Sequence, residues 1–436
     1  MAGSAPGAAA VAGAGTGVGA GTGTRAAAFD RVWPDVQRHM RDVMDCGVYS
    51  NGPKTRELEG RIKELTGVRY AMGVGTATDG LLLMLRAAGI GRDDEVVVPA
   101  FAPVTAAMAV ALAGARVVFA DVDPVTYGLS PESLRAVVTS RTKAVIPSRQ
   151  FAAPRAGAAA TAEVRSLARS LGLRVFEDLG GSPGAAACAF SAPGATGGVL
   201  AFDPAGELGA LGDAAMVLTD DPELAADLGA LRNHGRRPGS KPPARGAKGL
   251  AEIAEQGELP GTNAKMDDLQ AAVVLGRLSV AEAVTARRGE LARAYTERLA
   301  GLIGVERLPS AFSEPFPDVV YPGPYACAAY PVRYLAEVTD RDALARYLTD
   351  RGFAVTVPAR RPLHLQPAFA PVSRRAGDLP AAEAAARRTI ALPLHPDLTL
   401  NEVERVCAAV RSFYAGSLGA GSAPATGSFN AGGDAL

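Results

Sequence analysis

The sequence predicts an α/β protein: a large domain with a mostly parallel sheet, followed by a small C-terminal α+β domain. Three observations carry this. Short β-branched runs alternate with helical stretches from Val96 to Leu218. Those runs are apolar on both faces, as strands covered by helices on both sides are. After Asp267 the pattern turns to long helical periodicity and then to a shorter mixed segment. At 436 residues, 48% hydrophobic and 21% charged, the chain is long enough to bury a core of that size.

Taken in order, residues 1–28 are almost all Ala, Gly, Ser and Thr, with Arg25 the only charge. This composition predicts a disordered tail, and it has neither the basic start nor the Leu-rich centre of a signal peptide. The large domain is expected over 29–285. Its strands are read at Val96–Val98, Val117–Phe119, Ala144–Ile146, Leu173–Phe176, Val199–Phe202 and Met216–Leu218. Helices are read between them at Ala102–Ala113, Pro131–Thr139 and Ala162–Leu171. Several strand ends carry polar or Pro-containing tips (Pro99-Ala100, Asp121-Val122-Asp123, Pro147-Ser148, Glu177-Asp178), and ligands of such sheets bind beyond those ends. A Pro/Gly/Lys-rich segment from Arg236 to Leu250 reads as a mobile loop, and a helical register runs from Asp267 to about Leu302. The small domain is expected over 286–414, with a strand near Ala328–Val332 and helices at Arg341–Arg351 and Asn401–Phe413. Residues 415–436 repeat the composition of the first tail.

Lys+Arg and Asp+Glu both number 45, so the net charge of zero points to no nucleic-acid or membrane partner. Four scattered cysteines without a CxxC pair fit a reducing cytoplasm rather than a zinc site or disulfide framework. The four histidines form no metal-binding pair, so no metal is expected.

Two motifs carry chemistry. Gly73-Val-Gly-Thr-Ala-Thr78-Asp-Gly80 follows a strand and opens a helix, so the N–H groups of its first turn suit a phosphate. A plain strand-to-helix turn explains it equally well. Phe176-Glu177-Asp178 ends a strand with two acids; a carboxylate there can hold a protonated ring nitrogen, while capping or pairing with an arginine is the more ordinary role.

Together with Ser50-Asn-Gly-Pro53, Asp94-Glu-Val-Val-Val-Pro99, Asp121-Val-Asp123, Leu208-Gly-Ala-Leu-Gly-Asp213, Leu231-Arg-Asn-His-Gly235, Gly261-Thr-Asn263, Asp267-Asp-Leu-Gln-Ala-Ala272 and Leu363-His-Leu-Gln-Pro-Ala368, these motifs resemble the DegT/StrS family of sugar aminotransferases over about Trp33 to Tyr414. The resemblance implies the type I PLP-transferase fold, a homodimer and a pyridoxal phosphate cofactor. It assigns Ala77 and Thr78 to the cofactor's phosphate and Asp178 to its ring nitrogen. It assigns Asn263 to the phosphate of the neighbouring subunit.

The chain departs from the family where the chemistry resides. The family's Phe-Ser-Phe-x-Pro-x-Lys-x-Leu-Gly is here Leu200-Ala201-Phe202-Asp203-Pro204-Ala205-Gly206-Glu207-Leu208-Gly209. Gly206 replaces the lysine of the internal aldimine and Ala201 the phosphate-binding serine. Glu177-Asp-Leu-Gly-Gly181 lacks the family's glutamine, Pro103 stands in for the stacking aromatic, Arg149 for a histidine and Lys265 for an arginine. Losing three contacts at about 1–2 kcal/mol each would weaken PLP or PMP binding by roughly two to four decades. No tightly bound cofactor and no catalytic residue for transamination are therefore expected.

The expected function is a catalytically degenerate homologue of the sugar aminotransferases. It would act as an accessory or scaffold for a partner enzyme, or as a cofactor-independent enzyme on a sugar or natural-product ligand. For the second case Asp178, Glu177, Arg149 and Glu207 are the candidate groups near the vacated pocket. The alternative is a PLP/PMP-dependent aminotransferase or dehydratase with an unorthodox base, for which Lys241, Lys248 and Lys265 are the candidate amines.

Overall fold

A computed structural model describes residues 22–124, 126–149, 154–181, 194–204, 206, 208–237, 257–299, 305–307, 329–334, 341–372 and 375–419. Glu207, Lys241, Lys248, both outer tails and most of the expected mobile loop lie outside the described residues.

The chain opens with α1 (Thr22–Cys46) and α2 (Pro53–Thr66), then β1 (Tyr70–Val74) and α3 (Ala77–Ala87). The alternating region follows: β2 (Glu95–Pro99), α4 (Val104–Leu112), β3 (Arg116–Ala120), α5 (Pro131–Val137), β4 (Thr142–Val145), α6 (Pro154–Ser170) and β5 (Arg174–Asp178). Then come β6 (Gly197–Ala201), β7 (Ala215–Thr219) and α7 (Pro222–Leu231). The helices start where the sequence supplies caps. Ser130 and Asp221 accept from first-turn N–H groups of α5 and α7, and Pro131 and Pro222 follow them at the first helical position.

The seven strands are ordered β1-β7-β6-β5-β4-β2-β3. The pairs β3/β2, β2/β4, β4/β5 and β5/β6 are parallel, and β6/β7 and β7/β1 antiparallel. The mostly parallel sheet is thus present, with β7 alone reversed, between β6 and the edge strand β1. Leucines 81, 83 and 85 of α3 join Phe176, Val199 and Val217 in a core on one face. Val164 and Leu167 of α6 join Val145 and Val175 on the other.

The helical run after Asp267 is two helices, α8 (Asp268–Leu278) and α9 (Ala281–Arg298), bent by 61°. Ser279 donates its hydroxyl to the Gly276 carbonyl at 2.8 Å, a back-bond that competes with the helical ladder. The expected domain boundary at 285/286 falls inside α9. A three-stranded antiparallel sheet follows, in the order β10 (Thr389–Pro393), β9 (Ala329–Tyr334), β8 (Val305–Arg307), with α10 (Arg341–Thr349), α11 (Pro380–Arg388) and α12 (Leu400–Gly419). Two expectations for the tails change: α1 starts at Thr22 and α12 continues to Gly419. Alanine-rich segments beside a formed helix extend it readily.

The family motifs around Asp121 and Leu363 fasten the C-terminal part to the large domain. Asp121 accepts from the N–H groups of Ala381 (3.0 Å) and Ala382 (2.7 Å) at the start of α11. The Leu363 N–H donates to the Ala100 carbonyl at 2.8 Å. Among the described residues, no single helix is long and apolar enough to cross a membrane.

Candidate functional site

One end of the sheet collects the residues singled out by the sequence. Register pairs Lys265 with Val74, Val74 with Ala215 and Ala215 with Ala201, so the four lie in one lateral row. Ala201 continues the row by donating its N–H to the Gly180 carbonyl at 2.8 Å.

Asp178 closes β5 on the α3 face, with its side chain buried. Ser148 donates its hydroxyl to one carboxylate oxygen at 2.9 Å, and the Gly180 N–H donates to the other at 3.1 Å. Burial pushes the Asp178 carboxyl above the usual range; the two hydrogen bonds pull against that shift, and Asp203 adds to it. Asp203, exposed on the turn after β6, is itself raised by burial of its carboxyl and by Asp213.

Alternation along β5 sends Glu177 to the opposite face. There it is wholly buried and forms ion pairs with Arg149 Nε and Arg165 Nε, both at 2.9 Å. This corrects the expectation that Glu177 and Arg149 stand beside Asp178 at the vacated pocket: both are held in an ion-pair cluster against α6. The partner that sequence reasoning missed, Arg165, lies on that helix.

At the phosphate-type turn, Thr76 caps α3, accepting from the Asp79 N–H at 3.0 Å and donating to the Asp79 carboxylate at 2.8 Å. Ala77 and Thr78 form the half-buried first turn. The neighbouring glycine serves packing: a Cβ on Gly80 would lie 2.9 Å from Val199 Cγ2, so only glycine lets α3 rest this close on β6.

The positions of the missing lysine and glutamine face each other. The Gly206 N–H donates to the Asp203 carbonyl at 2.7 Å, which closes the turn. A Cβ built on Gly181 would lie 3.8 Å from Gly206 Cα and 3.6 Å from the Ala201 carbonyl. Neither position carries an amine, amide or hydroxyl. Pro103, ahead of α4, has no aromatic ring to stack.

Asn263 is exposed, on the segment whose Ala264 carbonyl accepts from the Gly75 N–H at 2.9 Å, just before the α3 turn. It bridges to Asn233 outside β1, and its carboxamide oxygen accepts from the Lys265 amine. Lys265 is pushed below the ordinary lysine range by burial and by Arg236 and Arg232. Three strand spacings, about 14 Å, separate its backbone from that of Ala201, beyond the reach of a lysine side chain in the same chain.

The residues present fit only one end of a pyridoxal cofactor. Asp178 suits a protonated ring nitrogen and the α3 turn suits a phosphate, but nothing at Gly206, Ala201 or Gly181 can hold an aldehyde or a phenolic oxygen. Among the described residues no group of three or more His, Cys, Asp and Glu is arranged to hold a metal.

The DegT/DnrJ/EryC1/StrS aminotransferase family matches residues 33–411. A pleiotropic regulatory protein of Geobacillus stearothermophilus is 31% identical over 392 residues, covering 88% of this chain and 96% of that one. The dTDP-3-amino-3,4,6-trideoxy-alpha-D-glucose transaminase of Streptomyces venezuelae is 32% identical over 390 residues, 89% of this chain and 94% of that one. The crystal structure of S. venezuelae DesV in complex with a ketimine intermediate superposes with a TM-score of 0.74 at 29% identity, covering 89% of this chain and 96% of that one.

Proposed function

This chain belongs to the DegT/DnrJ/EryC1/StrS aminotransferase family, and from that premise we propose that it is a catalytically degenerate member. It serves as a dimeric, cytoplasmic accessory or scaffold protein for a partner enzyme in sugar or natural-product biosynthesis. Relatives of similar identity carry names of both kinds, one regulatory and one a transaminase, so membership leaves both roles open. The observation that carries the reading is the pair of facing glycines, Gly206 and Gly181. Covalent anchoring and proton transfer need an amine or another titratable group there, and glycine supplies neither.

The test is a titration with PLP and PMP, followed by absorbance and thermal shift, on the wild type and on Gly206→Lys. A Cβ at Gly206 would lie 3.0 Å from the Asp203 carbonyl, so the variant needs only a small shift of that turn. No saturable binding to the wild type, with an aldimine band in the variant, supports the proposal. Tight binding or an aldimine in the wild type overturns it in favour of a working PLP enzyme with an unorthodox base.

The Asp178–Ser148 pair favours a second reading, cofactor-independent chemistry on a sugar or natural-product ligand. A buried carboxyl that accepts from Ser148 and is pushed above the usual carboxylate range is a candidate proton donor. Loss of a discovered activity in Asp178→Asn would support it, and unchanged turnover would remove it.

A further inference from the structure

Of the two acids that end β5, the one on the α6 face is outnumbered by positive charge. Glu177, wholly buried, accepts from Arg149 Nε at 2.9 Å through Oε2. Its Oε1 lies 2.9 Å from Arg165 Nε, an ion pair without the alignment of a hydrogen bond. Among the described residues, two guanidinium groups thus share one carboxylate. The adjoining sequence supplies no second one. Residues 179–202 contain no Asp or Glu, and residues 150–170 contain only Glu163, which is exposed.

The deficit falls on Arg149. Its side chain is 9% exposed, and its Nη2 is fully buried with no hydrogen-bond partner among the described residues. Buried guanidinium nitrogens are ordinarily satisfied, because no water is left to accept from them. The backbone fixes the residue in place. The Arg149 N–H donates to the Asp178 carbonyl at 2.9 Å, and Ser148 bridges to Asp178 in parallel. This extends the β4/β5 pairing beyond Val145 to the carboxyl end of the sheet, where ligands of such sheets bind.

Two further features give the missing partner its sign and size. The helix α6 opens at Pro154, five residues after Arg149, with no acid in its first turn, so its dipole adds positive potential at the same end. A neutral acceptor could take the spare N–H groups but would leave the extra cation uncompensated. A group with a single negative charge does both, and a carboxylate offers two oxygens to the planar guanidinium. The family has histidine at this position, so Nη2 is a feature of this chain rather than of the family.

We propose that the α6 face of the sheet holds an anion site, in which Arg149 Nη2 donates to the carboxylate group of a small ligand. Asp178 and the cleft lie on the opposite face, so the inference holds whether or not the cleft binds a cofactor.

Isothermal titration and thermal shift of the full chain test it, with acetate as the probe and inorganic phosphate as the comparison, each exchanged for chloride at fixed ionic strength. The wild type is expected to bind acetate saturably, with a melting temperature that rises with its concentration. Arg149→Lys keeps the charge but loses the fork, and is expected to weaken binding about tenfold; Arg149→Met is expected to abolish it. Glu177 keeps Arg165 in both variants, and circular dichroism checks that both fold. A wild type that binds no acetate overturns the proposal without reference to either variant. Acetate binding that is unchanged in both variants also overturns it, by placing the anion elsewhere, such as at the α3 turn. Binding of phosphate in preference to acetate overturns the assignment to a carboxylate.

Discussion

Asp268 and Asp178 are both buried carboxylates within segments shared with the family, and their surroundings differ in kind. Asp268 accepts from the N–H groups of Gly52 (2.7 Å), Lys54 (3.0 Å) and Thr55 (3.1 Å) and from the Thr55 hydroxyl (2.5 Å). It caps α2 from across the chain, where the N-terminal N–H groups favour a negative charge. A Cβ on Gly52 would lie 2.4 Å from its carboxylate, so Ser50-Asn-Gly-Pro53 and the Asp268 segment form one interlocked joint. Asp178 has two donors and a carboxyl that burial pushes up. The first aspartate is completed by the fold. The second has bonding capacity to spare, and the nearby positions Gly181, Ala201 and Gly206 carry no polar side chain. Motifs that hold the backbone persist in this chain, while those that would touch a cofactor's reactive end do not.

The sharpest contrast lies within two neighbouring residues of β5. Glu177→Gln leaves Arg149 and Arg165 buried without their counter-charge and is expected to cost about 3–5 kcal/mol, read by urea unfolding. A loss below about 1 kcal/mol would mean that the cluster is solvated and that Glu177 is available to the cleft after all. Asp268→Asn comes next. Its amide nitrogen would be set against backbone donors of α2, and a loss of about 2–4 kcal/mol is expected by the same measurement.

Much of this arrangement is legible in the sequence, and the part that is not has identifiable causes. The buried strands β2, β5 and β7 announce themselves as apolar runs, and the cap at Thr76 is local. Alternation along a strand already implies that Glu177 and Asp178 part company, so adjacency was the wrong guide to a shared pocket. Their partners could not be read. Arg165 is on a different element, and Asp268 is 216 residues from Gly52. The facing of Gly181 and Gly206 depends on the register of β5 on β6, which neither segment specifies alone. The break between α8 and α9 falls at Ser279 and Val280, where a serine back-bonded to Gly276 is a weak signal inside a strong helical pattern.

Asp178→Asn reverses the sign of the comparison. A group whose folded-state pKa is raised binds its proton more tightly when folded, so folding loses stability as pH climbs above the ordinary carboxylate range. Removing the charge should therefore stabilise the protein above the ordinary carboxylate range, as stabilising changes at functional sites do. The gain should fade once acid protonates the aspartate in the unfolded chain as well. Melting curves of both proteins across pH 3–8 would show it. A variant that is less stable at every pH would place Asp178 with Asp268, as a structural residue.

The smallest effect concerns the emptied side of the cleft. Gly181 does not have a positive φ, and a Cβ there would meet only ordinary contacts at 3.6 and 3.8 Å, whereas at Gly80 it would press on Val199 at 2.9 Å. Gly181→Ala is thus expected to be neutral or to stabilise by about 0.5 kcal/mol, through the unfolded chain's lost freedom. A loss above about 1 kcal/mol would show that the space is filled, in solution, by a group the isolated chain does not place there. Gly181 would then be a packing glycine like Gly80, and its replacement of glutamine would reflect a tighter joint rather than an abandoned cofactor contact.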